Sequence, residues 1–407
     1  FIAENTTGAS CLGQLSGLED RKGVYKQAVS TLSDSKQTTL ILISRPDESP
    51  LKEVERSSHE LLDLHITSQH LIINGVLEEY DKDDAISVQI YQQQQNALNN
   101  RPKALRKLNT SMIPLRSYSM TGIDNIRKML NNDAQASVTR KEIDTNVFQP
   151  IDNLIDDLYQ SGKRVIFTMG KGGVGKTTIA GHIARGLASK GVKVHLTTTD
   201  PANHLSFIET RVEGITVSHI DEKEVLAIYQ KNILQKAREA MGDADLSYIE
   251  EDLRSPCTQE IAVFNAFAEI VAKADNEVVV IDTAPTGHTL LLLDSTQSYH
   301  KEVERTQGNI TPAVQNLLPR LRNEEETEVV IITLPEATPV FEAQRLQLDL
   351  QRAGIKNKWW VVNSSLLLTP TKSPFLKAKA ESEIGWIEKV DEISNGNFAV
   401  IGWKQKA

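Results

Sequence analysis

Cysteine is nearly missing from this sequence: Cys11 and Cys257 are its two thiols in 407 residues. Two thiols cannot staple a disulfide framework, and such sparing use points to a reducing compartment. No C-x-x-C pair occurs, which argues against a structural zinc site. Long apolar runs are also missing, so neither a membrane span nor a secretory leader is expected. Positive charge is short: 45 Lys and Arg stand against 54 Asp and Glu, a net charge of −9. That balance argues against a nucleic-acid-binding surface. What remains, 40% apolar and 24% charged, is the composition of an ordinary soluble protein with room for two or three domains.

The most informative stretch that is present is Gly170-Lys171-Gly172-Gly173-Val174-Gly175-Lys176-Thr177-Thr178. It follows the apolar run Val165-Ile166-Phe167 and precedes Ile179 to Lys190, whose apolar residues recur at helical spacing. Strand, glycine loop and helix form the context in which G-x-x-x-x-G-K-T is a phosphate cradle. Backbone N–H groups and the helix N-terminus face the anion, and glycine lets the chain come close. Lys176 is expected to neutralise the β/γ-phosphates and Thr177 to ligate Mg²⁺. The plain alternative is a chance glycine turn, against which four glycines, the Lys-Thr pair and both flanking elements agree.

The chain also repeats itself. Residues 38–74 and 327–363 align without a gap at a constant offset of 289, with Pro46 on Pro335, Pro50 on Pro339, Glu53 on Glu342, Arg56 on Arg345, Leu61 on Leu350, Ile66 on Ile355 and Asn74 on Asn363. Each copy reads as strand, proline turn, helix and second strand, and an internal duplication is expected. By that offset the first copy's cradle would precede Phe1. Residues 1–130 are therefore expected to be the C-terminal part of a first P-loop domain, N-terminally truncated. Residues 131–150 are polar and aperiodic, a linker. Residues 151–407 form the second domain, with its end expected to be cut or diverged. Its expected strands are Val165–Met169, Val192–Thr198, Val278–Asp282, Val329–Thr333, Trp359–Asn363 and Phe398–Ile401, after a short helix at Ile151 to Tyr159. The fold class is α/β, a doubly wound, mostly parallel sheet of the deviant P-loop NTPase kind in tandem duplicate. In the first copy, Tyr118 to Leu130 reads as a loop and closing helix.

Further residues have the chemistry for such a site. Asp282 ends an apolar strand in DTAPTGHT, where an acid beside a cradle holds Mg²⁺ or its waters; a helix-capping Asp is the alternative. The Pro285-Thr286-Gly287 turn after it is placed to sense a γ-phosphate. Asp200, in TTTDPANHL, is placed to orient the attacking water, with a cap again as the alternative. Asn363 ends a strand at the sheet's C-terminal edge and can hydrogen-bond the base, or simply form a turn. Lys171 is surplus to an ordinary cradle and can reach a γ-phosphate in a facing domain, as an arginine finger does. Cys257 precedes a helical stretch, where a thiol's pKa falls and soft metals bind better; Cys11 lies in a loop of small residues. For each cysteine alone, an inert buried thiol is the commoner fate.

GKGGVGKTT, DPANHL, LRSPCTQEIAVF, GASCLG and DTAPTGHTLLLLD together resemble the arsenite-transporting ATPase family, over essentially the whole chain. The resemblance implies two P-loop domains face to face, each site completed by the other's lysine, that use ATP and Mg²⁺. It implies a site for trivalent arsenic or antimony at the seam, to which this chain would bring Cys11, Ser255, Cys257 and His288. By itself His288 reads as a satisfied loop histidine. The resemblance further implies in-line hydrolysis of MgATP stimulated by arsenite or antimonite. Its implied partners are a membrane-embedded arsenite carrier and an arsenite-delivering metallochaperone, with the chain cytoplasmic and held peripherally at the membrane. Two other functions share these motifs: a targeting ATPase for tail-anchored proteins, and a non-catalytic partitioning or scaffold module that dimerises on ATP.

Overall fold

Short runs of Val and Ile that are apolar on both faces need helices on both sides of the sheet they form. The fold meets that need, as seen in a computed structural model that describes residues 18–129, 148–198, 213–241, 249–250, 253, 256–283 and 311–404. The chain divides into two compact units, the first ending at Ser117 and including the short segment Thr371–Leu376, the second holding most of the rest.

The first unit runs α1 (Leu18–Ser33), β1 (Leu40–Ser44), α2 (Glu48–Asp63), β2 (Gln69–Val76), α3 (Ala85–Asn99) and β3 (Asn109–Pro114). Its strands form a parallel sheet in the order β1-β2-β3. Leu42, Leu51, Leu71, Ile73, Val76, Ala97 and Leu105 bury one apolar core. On the sheet's other face Ile41 and Ile43 are 57% and 63% exposed.

The second unit contains α4 (Ile123–Met129), α5 (Ile151–Gln160), β4 (Val165–Met169), α6 (Lys176–Ser189), β5 (Val194–Thr198), β6 (Ile215–His219), α7 (Glu222–Met241), α8 (Pro256–Ala272), β7 (Val278–Asp282), α9 (Pro312–Arg322), β8 (Thr327–Thr333), α10 (Ala337–Arg352), β9 (Trp360–Ser365), α11 (Pro374–Glu381) from Lys377 onward, α12 (Ile384–Ser394) and β10 (Phe398–Gly402). Seven strands pair in parallel in the order β10-β9-β8-β4-β7-β5-β6. Alternate strand residues feed two cores. Ile166, Val280, Val330 and Ile332 pack with Leu154 of α5 and Ile183 and Leu187 of α6. Val165, Phe167, Val279 and Ile331 pack on the other face with Phe264 and Phe267 of α8, Leu317 of α9 and Leu346 of α10. At the far end of the sheet the Asp157 carboxylate accepts from Lys358 Nζ and Trp359 Nε1, both at 2.7 Å, which pins α5 to the start of β9.

Every expected strand is present within two residues of its expected limits, and the helix expected at Ile151 extends to Gln160. Strand β6 was not foreseen. It is a short edge strand whose Val217 is 44% exposed, so it lacks the apolar run that marks the central strands. Of the closing helix expected in the first copy, Ile123–Met129 is helical and groups with the second unit.

The repeat is visible in the backbone. At the offset of 289, α2 superposes on α10 end to end, α3 and α11 begin together, and β3 and β10 begin together. The pairing of Leu42 with Leu71 repeats as Ile331 with Trp360. The register of β2 on β3 differs by one residue from that of β9 on β10. The residue after each matched Asn is left-handed: Gly75 has φ 86° and Ser364 φ 57°. The copies differ in cover, since Ile43 is 63% exposed whereas its counterpart Ile332 is fully buried. Ile332→Ala is therefore expected to cost about 2–5 kcal/mol and Ile43→Ala at most about 0.5 kcal/mol, read from urea unfolding midpoints. Equal losses would contradict the difference in cover.

Candidate functional site

Strand β4 is buried along its whole length and delivers the chain to the C-terminal edge of the sheet, beside the point where connections diverge to β5 on one side and β8 on the other. The glycines of the loop are there for space and conformation. A Cβ on Gly170 would lie 2.2 Å from the Ile332 carbonyl oxygen, and one on Gly175 would lie 2.2 Å from Asn363 Nδ2. Gly173 and Gly175 hold φ of 78° and 95°, in the left-handed region that side chains disfavour. Helix α6 starts directly after Gly175, so its unpaired N–H groups open on the loop.

The Lys176 side chain is buried and folds back over the loop, with Nζ donating to the Lys171 carbonyl at 3.3 Å. Lys171 itself is half-buried. An ammonium folded back over a loop that ends in a helix N-terminus places positive charge where an anion is favoured.

Thr177, one residue further, donates its hydroxyl to Asp282 Oδ2 at 2.6 Å. Asp282 is 1% exposed, and Thr168 and Thr198 hydroxyls lie 3.4 Å from its two oxygens. Strand register makes this cluster, because Thr168 and Thr198 are the residues paired with Asp282 on either side. Thr283 donates to the Thr168 carbonyl at 2.9 Å and closes the strand end. The donor set is a carboxylate and hydroxyls with no sulfur or nitrogen, which suits a hard cation such as Mg²⁺.

Asn363, two residues before the end of β9, donates its side-chain amide to the Val174 carbonyl at 2.9 Å. It thus reaches the phosphate loop directly, a contact that the sequence does not reveal. The turn after it is gripped by Glu383. This carboxylate is 3% exposed and accepts from Ser365 Oγ at 2.7 Å, Leu366 N at 3.0 Å and Leu367 N at 3.3 Å. Burial pushes its pKa up to about 7, against the opposing pull of those donors and of Lys379.

The structure therefore brings together Gly170–Thr178, Asp282 and Asn363. Asp200, Cys11, Ser255, His288 and the Pro285–Gly287 turn lie outside the described residues. For Cys257 the backbone is described: it stands in the first turn of α8, one residue after Pro256. Sequence reasoning missed Thr168, Thr198 and Glu383. The threonines carry a weak signal as hydroxyls ending apolar strands, and Glu383 carries none in its own segment.

The family model described as anion-transporting ATPase matches residues 3–132, 163–320 and 310–401. An arsenical pump-driving ATPase of Escherichia coli is 42% identical over 409 residues, which is 98% of this chain and 69% of that protein. One from Acidiphilium multivorum is 42% identical over 412 residues with the same coverage. The ATPase get3 of Schizosaccharomyces japonicus is 23% identical over 289 residues, 60% of this chain and 88% of its own length. A family match that takes in both sheets, joined to a phosphate loop folded as its sequence requires, makes the chain a member of the anion-transporting ATPase family, and ATP hydrolysis is the reaction its site serves.

Proposed function

We propose that this chain is the ATP-hydrolysing motor of an arsenical exporter, in which bound metalloid couples two P-loop domains. The observation that carries the catalytic part is the 2.6 Å hydrogen bond between Thr177 and Asp282, which joins the phosphate loop to the strand-end acid. Lys176 holds the β/γ-phosphates, and Asn363 contacts the nucleoside end. Thr177 and Asp282 hold Mg²⁺, which when bound neutralises charge on the phosphate oxygens. Asp200 orients the attacking water, which displaces ADP from the γ-phosphorus in line. Lys171 reaches across to the γ-phosphate of a facing domain.

Cys11, Ser255, Cys257 and His288 contribute to an arsenite or antimonite site between the domains. Arsenic(III) is soft and favours thiolates, so cysteines from separate segments suit such a clamp. Metalloid then accelerates turnover by binding the closed arrangement more tightly than the open one. The work passes to a membrane-embedded carrier, with an arsenite-delivering metallochaperone as a further partner and the chain held peripherally at the inner face of the membrane. Among the described residues no helix is long and apolar enough to cross a membrane.

Two outcomes are expected. Lys176→Ala weakens MgATP binding by roughly 10- to 100-fold, the worth of a charge-assisted contact, in isothermal titration; unchanged affinity would remove Lys176 from the phosphate site. Cys257→Ser in the complete protein lowers antimonite-stimulated turnover more than basal turnover, measured by phosphate release. Equal loss of both would make the thiol structural, and stimulation by a hydrophobic peptide but not by antimonite would favour a targeting ATPase.

A further inference from the structure

The irregular last residues of β9, which follow Asn363, are unusual in conformation. Ser364 is left-handed, with φ 57°, a conformation that costs a non-glycine residue about 1 kcal/mol or more. Such a turn persists only if its surroundings over-determine it. Here three donors in succession, Ser365 Oγ, Leu366 N and Leu367 N, converge on the buried Glu383 carboxylate. Glu383 stands directly before α12, so a rigid helix start holds the end of β9.

The first unit repeats the device with different chemistry. Gly75 follows Asn74 and is left-handed at φ 86°. Gln94 Oε1 accepts from Leu77 N at 2.8 Å, and Gln94 Nε2 donates to the Gly75 carbonyl at 3.1 Å. At the offset of 289, Gln94 falls on Glu383 and Leu77 on Leu366. One position in the repeat therefore clamps the same turn twice. Where the turn residue is glycine, a neutral amide holds it. Where it is serine, a carboxylate with three donors does.

We propose that Glu383 is a positioning residue for nucleoside recognition: by clamping the turn at Ser364–Leu367 it sets the aim of Asn363, as Gln94 does for Asn74. The inference rests on Asn363 contacting the nucleoside end, part of the function proposed above. The carboxylate acts only through the strand end that carries Asn363, whose amide also holds the Val174 carbonyl of the phosphate loop. The cost of burying it is offset by the hydrogen bonds it accepts from Ser365, Leu366 and Leu367.

The test is equilibrium binding by the whole chain of MgATP, MgGTP and magnesium tripolyphosphate, the last having no nucleoside. Glu383→Ala is expected to weaken MgATP about 10-fold and tripolyphosphate less than about 3-fold, and to narrow the preference for ATP over GTP. Glu383→Gln should fall between wild type and Glu383→Ala, because an amide oxygen can still accept from the strand end but more weakly than a carboxylate. On an Asn363→Ala background, Glu383→Ala should add little, since the two act in series. Parallel losses for MgATP and tripolyphosphate, full additivity with Asn363→Ala, or unchanged MgATP binding by Glu383→Ala would each overturn the role. If Glu383→Ala does not fold, Ser365→Ala, which removes one of the three donors, should give a smaller loss of the same kind, and no loss would count against the clamp. Wild-type chain that binds tripolyphosphate as tightly as MgATP would refute the reading of Asn363 itself, a result distinct from a failure of Glu383.

Discussion

The site depends on one buried carboxylate being met by hydroxyls. Asp282 is almost wholly removed from water, and a carboxylate so placed without donors would cost several kcal/mol. Thr177 supplies a 2.6 Å donor from the first turn of α6, while Thr168 and Thr198 approach from the neighbouring strands. The hydroxyls sit there because β4, β7 and β5 pair with Thr168, Asp282 and Thr198 side by side. A slip of one residue in either pairing would send the partner's side chain to the opposite face. Sheet register, set by the alternation of Val and Ile between two cores, is thus what builds the hydroxyl cluster around Asp282.

The phosphate side is built by exclusion. Gly170 passes the Ile332 carbonyl, and Gly175 passes the Asn363 amide, at distances that no Cβ tolerates. The two ends of the loop rest against β8 and β9 while Gly172 and Gly173 between them are exposed, so its shape is inherited from strands more than 150 residues further along the chain. Asn363 closes this arrangement by holding the Val174 carbonyl. Phosphate loop, acid and the end of β9 are therefore one mechanical unit resting on the central strands.

Much of this was legible in the sequence, for identifiable reasons. β4, β7 and β8 are runs of Val and Ile buried on both faces, so composition alone marks them. The phosphate loop announces itself because glycine, lysine and threonine are each required at fixed places. β6 was hidden because an edge strand with polar and exposed residues has no comparable run. Glu383 was hidden for a different reason. In AESEIGW it looks like any acid on a helix surface, and only the return of the β9 turn buries it. Asn363 was expected to end its strand but stands two residues before the end of β9, and its bond to Val174 spans 189 residues and leaves no trace in local pattern.

The two copies of the repeat separate what local chemistry dictates from what cover dictates. Helices α2 and α10 coincide end to end, and β1–β2 and β8–β9 share a register, although Ile41 and Ile43 are exposed where Val330 and Ile332 are buried. Element boundaries thus follow from proline turns, strand runs and caps within each copy, and do not need the seven-stranded context. What diverges is the strand end that faces the ligand side. There one copy has a glycine and an amide, and the other a serine and a carboxylate. A glycine turn needs little restraint because the left-handed conformation is free to it, whereas a serine turn must be held. The stronger clamp is therefore the physical consequence of the less permissive residue, and it stands in the copy whose Asn grips the phosphate loop.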